Sequence, residues 1–135
     1  MHAKYPRRAL VILSDGEDNA SRVSRRVAFW RMQQPGAPVV YACPVSKAGI
    51  LQNEKIAGIM NMRYLAKAAG GVEINLGPDP ESAAARIAAD IRSQHVLQFT
   101  SADQARDGKR HKLSVPLPIK NVHIHVLPDY FAPVK

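Results

Sequence analysis

The chain has 135 residues, of which 46% are hydrophobic and 22% charged. That is enough apolar content for one domain with a core, and too much for wholesale disorder. No apolar run approaches the ~20 residues of a membrane-crossing helix, and a single cysteine, Cys43, excludes an internal disulfide. The net charge of +8 is lopsided: residues 1–67 carry 11 Lys/Arg against 4 Asp/Glu, and residues 68–135 carry 8 against 7.

The basic start, "MHAKYPRR", has no apolar stretch before Ala9 and does not read as a signal peptide as it stands. Ala9–Leu13, "ALVIL", shows no period-2 alternation, which predicts a strand covered on both faces, as in a parallel α/β sheet. It empties into a burst of oxygen-bearing side chains: Ser14, Asp15, Glu17, Asp18 and Asn19. A helix is expected over Ser21–Gln34, with Val23, Val27 and Trp30 as its apolar stripe and Arg22, Arg25, Arg26 and Arg31 on the other side. "QPGAP" stops it.

Val39–Val45, "VVYACPV", is a second apolar strand, and Cys43 within it reads as a small buried hydrophobe. Ser46–Gly58 fits either a loop or a loose helix. Ile59–Ala69 is helical, closed by Gly70-Gly71. Val72–Leu76 alternates like a strand. A long helix to Ser93 follows, with Asp79 as N-cap, Pro80 in its first turn, and Ala84, Ile87, Ala88 and Ile91 as its buried stripe. Three alternating segments then suggest antiparallel strands: His95–Thr100, His111–Leu117 and Val122–Leu127. The expected fold is therefore an α/β layer over residues 1–94, with a doubly wound, mainly parallel sheet, and appended strands over 95–135.

In open α/β sheets, ligands sit at the carboxyl ends of the strands, where Asp15 falls. Short rigid oxygen ligands there suit Mg²⁺ or Mn²⁺, with Ser14 and Asp18 as further donors. Asp15-Gly16 reads equally as a turn, with Asp18 or Asn19 capping the next helix. His123 and His125 share one face of the last strand and could join His95 or His111 around zinc. They read instead as an exposed face, because Val122, Ile124 and Val126 claim the other side. Phe29 and Trp30 read as helix packing. No Ser–His–Asp arrangement, phosphate loop or dinucleotide fingerprint occurs, so the chain reads as non-enzymatic.

"ALVILSDGEDNAS" resembles the fourth core strand and following loop of von Willebrand factor type A domains, and more narrowly those of a bacterial family related to them. The ordered set is what carries the resemblance. "VVYACPV" resembles the next strand. "MRYLAKAAGGVEINL" is similar to an "LxxLAxxTGGxxF" unit, and "IAADIRSQHVLQFT" to an "IxxxLRxQYxLGYxP" junction. "ARDGKRHKLSVPL" and "VHIHVLPDYFAP" resemble the closing strands. Together these cover residues 5–133.

The resemblance implies a Rossmann-like sheet and an adhesion-type interaction module. In that family a divalent cation is held by a DxSxS motif, a Thr and the Asp of an SDG motif. Asp15 matches the last; DxSxS occurs nowhere in the chain. The chain thus looks like the C-terminal half to two-thirds of a type A domain with an incomplete cation site.

The strand that would neighbour Ala9–Leu13 is also missing. Ala9, Val11 and Leu13 then lie on a free edge that invites self-association. The leading expectation is a protein-binding module. The alternatives are a split-domain half without binding of its own, and a basic polyanion-binding domain using Arg22, Arg25 and Arg26. No aromatic–glycine RNA-binding pattern accompanies these arginines, so nucleic acid ranks behind protein as a partner.

Overall fold

The computed structural model describes residues 8–18, 20–34, 36–45, 53–76, 79–95, 97, 99–100, 106–119, 124, 126–127, 129–132 and 134. The elements are β1 (Ala9–Ser14), α1 (Arg25–Met32), β2 (Val39–Pro44), α2 (Asn53–Ala68), β3 (Val72–Glu73), α3 (Pro80–Ser93), β4 (Arg110–Lys112) and β5 (Asp129–Phe131). β1, β2 and β3 form a parallel sheet in that order, and β4 and β5 form a separate antiparallel pair. The chain is therefore α/β, with a parallel sheet followed by antiparallel strands.

β2 is the centre. Val40, Tyr41, Ala42 and Cys43 are all fully buried. Its lack of alternation has a direct cause, because both faces are covered. On one face Val40 and Ala42 pack with Met62, Ala66 and Ala69 of α2, joined by Ile12 and Met32. On the other, Tyr41 and Cys43 pack with Ile74 and with Ala83 and Ile87 of α3. Moving stepwise from β1 to β3 through right-handed crossovers puts α1 and α2 on the same side. That leaves α3 alone on the opposite one.

β1 does not share this burial. The apolar run predicts cover on both faces, but among the described residues β1 is the sheet's outer strand, with β2 as its one neighbour. Residue 9 aligns with residue 39, so Val11 and Leu13 lie on the same face as Tyr41 and Cys43. α3 packs over β2 and β3 there and does not reach them. Val11 stays 41% exposed and Leu13 61%.

α1 begins at Arg25 rather than Ser21. The Ser24 hydroxyl accepts the Val27 N–H as N-cap, while Asp18 accepts from the Ser21 N–H in the preceding bend. The expected stripe of Val23, Val27 and Trp30 is not a buried one: all three are exposed, and no residue of α1 is buried. α2 reaches further back than expected, to Asn53, so the second half of the ambiguous stretch is helix. It ends in a Schellman closure, with Gly70 at φ 68° and the Gly71 N–H on the Ala66 carbonyl. α3 starts as expected, Asp79 accepting the Ser82 N–H ahead of Pro80. Its buried stripe is shifted: Ala83 and Ile87 are buried, and Ala84 is exposed.

The strand expected over 72–76 shortens to Val72–Glu73. No strand occurs among the described residues of 95–100. The strand expected at 111–117 is limited to Arg110–Lys112, paired with Asp129–Phe131; the strand expected over 122–127 lies partly outside the described residues, and Ile124, Val126 and Leu127 are not in a strand. Pairing follows the positions where each side chain has a cross-strand companion. His111 stacks on Tyr130 at 5.5 Å between ring centres, and Arg110 pairs with Asp129 at 3.0 Å. No helix among the described residues is long and apolar enough to cross a membrane.

Candidate functional site

Two surfaces hold the residues singled out by sequence, and they lie apart on the fold. The first is the carboxyl end of β1 and its outer edge. Backbone bonding fixes what that edge presents. The Arg8 carbonyl accepts from Val39 N–H, and the Ser14 carbonyl from Val45 N–H. In a parallel ladder the residues bonding inward alternate with those bonding outward. Arg8, Leu10, Ile12 and Ser14 therefore face β2, and the N–H and C=O groups of Ala9, Val11 and Leu13 point to the open side. Among the described residues no strand pairs with that side of β1, so Ala9, Val11 and Leu13 lie at the edge of the sheet there.

At the end of β1 the chain turns on its own side chains. The Ser14 hydroxyl accepts the Gly16 N–H at 3.0 Å, and Asp15 Oδ1 accepts the Glu17 N–H at 3.1 Å. Asp18 Oδ1 accepts from Ser21, whose side chain and N–H hold the Asp18 carboxyl below the ordinary range. Gly16 sits at φ 79°, packed against Gly58 of α2, where a Cβ would come within 2.3 Å of backbone atoms. Two glycines let the loop rest directly on the helix.

Of the two sequence readings, this geometry carries the turn. One oxygen each of Ser14, Asp15 and Asp18 is taken up by backbone N–H groups. Among the described residues, no three His, Cys, Asp or Glu side chains converge on a point a cation could occupy. One free carboxylate oxygen on Asp15 is short of what Mg²⁺ or Mn²⁺ requires. The described residues thus supply Asp15 with no such cluster of donors, and a cation there stays an expectation of the sequence.

Among the described residues no metal-binding group of histidines forms. His111 Nε2 lies 3.2 Å from Asp107 Oδ1 and its ring stacks on Tyr130, while His95 is exposed. His123 and His125 lie outside the described residues. Cys43 is buried in β2, and burial pushes its thiol up, away from the reactive thiolate.

The second surface is on α1. At 100° per residue, Arg25, Phe29, Gln33, Arg26 and Trp30 occupy one continuous arc of the helix. With Arg110 from β4 they line an open groove of about 540 Å³. Trp30 is 51% exposed, which overturns the reading of it as packing. Arg25 Nη1 donates to Asn61 Oδ1 at 2.6 Å and keeps its charge. Arg26, Arg22 and Arg31 are exposed, with no ion pair among the described residues. Arg110 is balanced by Asp129 and also donates to Gln33 Oε1 at 2.8 Å. Gln33 and Arg110 escape sequence reading, because only the tertiary fold brings Arg110 to α1.

A further polar network lies under α3. The buried Tyr41 hydroxyl donates to Asp90 Oδ2 at 2.5 Å and accepts from Gln94 Nε2 at 2.8 Å. Burial first, and Asp90 second, push this phenol well above its usual range. Among the described residues no buried side-chain polar atom is left without a partner, and the network reads as a structural tie between β2 and α3.

The chain was compared with protein-family models, with curated proteins and with solved structures, and none of them matches it.

Proposed function

We propose that this chain is a protein-interaction module of the von Willebrand type A kind, and that its docking element is the outer edge of β1. One observation carries the reading. A six-residue strand ends the parallel sheet with the Ala9, Val11 and Leu13 backbone open and the Val11 and Leu13 side chains 41% and 61% exposed. An exposed, apolar edge strand is a template for a strand from another chain. The resemblance noted above supports the same reading.

In the purified protein the available occupant is a second copy. A two-fold axis through Val11 would set two β1 strands antiparallel, Val11 opposite Val11 and Ala9 opposite Leu13. These are the residues whose backbone groups point outward. The same register turns Arg8 of each copy toward the Ser14–Asp15 corner of the other, so unlike charges meet. Parallel pairing would set Arg8 beside Arg8.

Light scattering over a range of protein concentrations tests this. The wild-type mass should rise toward a dimer with concentration, and more readily in salt, which screens the repulsion between two +8 chains. Val11→Pro deletes an outward N–H without touching the β2 ladder, and Leu13→Lys puts charge on the edge. Both should shift the protein toward monomer with unchanged circular dichroism. A wild type that remains a clean monomer at high concentration sinks the self-pairing form.

A further inference from the structure

We propose that the groove between α1 and β4 binds single-stranded nucleic acid, with one base stacked on Trp30 and the flanking phosphates resting on Arg25 and Arg26. This goes beyond the interaction reading and does not rest on it, because no residue of β1 lines the groove.

Three observations carry the inference. The first is composition: residues 22–31 hold four arginines and no acidic residue, and two of the four, Arg25 and Arg26, line the groove. The second is arrangement. Arg26 and Trp30 are four residues apart on one face of α1, as are Arg25 and Phe29, so cation and aromatic ring alternate across the groove wall. Single strands are held by this pairing, in which stacking tolerates any base and arginines follow the backbone. The third is room. A groove of about 540 Å³ lies within the usual range for small-molecule sites and suits a nucleotide unit. Gln33 stands at its floor, with both ends of its amide held by Arg110 and Asp129, so that wall is fixed before anything binds.

An anionic membrane surface is the competing partner, because it too favours Arg and Trp. An interfacial helix needs its basic and apolar residues on separate faces. Here they are interleaved. Trp30 and Val27 lie between Arg26 and Arg31 around the helix, and the helix has only eight residues.

Trp30 is the only tryptophan, so its fluorescence reports the groove directly. In low salt, titration with a short oligothymidylate should quench it to saturation. The affinity should fall with salt at a log–log slope of about −1.4, the value for two phosphates on a single strand. The double variant Arg25→Gln, Arg26→Gln should lower affinity at least tenfold. Trp30→Leu, followed by anisotropy of a labelled oligonucleotide, should lower it about fivefold or more. All three side chains are on exposed helix surface, and circular dichroism checks that each variant keeps its fold. Two controls use the unaltered chain. A duplex of the same length should bind more weakly, and vesicles of phosphatidylserine and phosphatidylcholine should leave Trp30 unquenched. No response to the oligonucleotide overturns the proposal. So does equal affinity for duplex, which would mean phosphate attraction without stacking, and so does quenching by the vesicles alone.

Discussion

At the scale of single residues, one tightly constrained contact is glycine on glycine. Gly58 lies inside α2, where alanine would ordinarily add about 1 kcal/mol of helix propensity. At this position an added Cβ would meet the Gly16 carbonyl carbon at 2.6 Å and the Asp15 carbonyl at 2.9 Å. Both are backbone atoms and cannot rotate away. The steric term wins, and Gly58→Ala should destabilise the protein by about 1–3 kcal/mol net in urea unfolding. An unchanged or raised midpoint would mean that the β1–α2 corner has slack. The same corner decides the cation question. Asp15 holds the Glu17 N–H, so Asp15→Ala removes a turn bond and should lower the melting temperature modestly. The drop should be the same with and without Mg²⁺ or Mn²⁺. A metal-induced rise in the wild type that vanishes in Asp15→Ala would show that more donors reach Asp15 than the described residues provide.

At the scale of elements, legibility tracked how local each signal is. α3 was readable nearly to the residue, because Asp79, Pro80 and the helix after them encode a start that needs no tertiary partner. The α2 closure at Gly70 was readable for the same reason. β2 was readable because four consecutive apolar residues are buried on both faces. β1 has the same apolar run, but which strand sits at the edge is a property of sheet order, and composition does not encode order. The stripe on α1 failed likewise. Its period was helical, yet no layer covers Val27 or Trp30. The antiparallel strands were displaced because alternation over residues 95–127 marks extended chain without naming its partner; the pairing settles where His111 meets Tyr130 and Arg110 meets Asp129. Of the candidate surfaces, the β1 edge could be placed from sequence. The α1 groove could not, since Arg110 arrives from 77 positions away to bond Gln33.

At the scale of the whole molecule, Gln33, at the end of α1, ties that helix to the β4–β5 ribbon. Its Oε1 accepts from Arg110 Nη2 at 2.8 Å, and its Nε2 donates to Asp129 Oδ1 at 3.3 Å. Arg110 and Asp129 also pair directly at 3.0 Å, so the β4–β5 ribbon is braced within itself as well as against α1. Gln33→Ala removes the bridge and leaves that pair intact, at a cost of about 1 kcal/mol. Because β2 draws its burial from α2 and α3, the loss should fall on the ribbon alone. Amide exchange at Ala132, whose N–H bonds the Lys109 carbonyl, should quicken about fivefold, while the amides of Val40–Cys43 keep their rates. Cys43 gives an independent reading. Its thiol is fully buried, so alkylation under native conditions waits for the parallel sheet to open. That rate should be unchanged in Gln33→Ala. If Cys43 becomes reactive by the same factor as Ala132, the two sheets open as one cooperative unit. The ribbon would then be part of what holds β2 closed, rather than an appendage docked on α1.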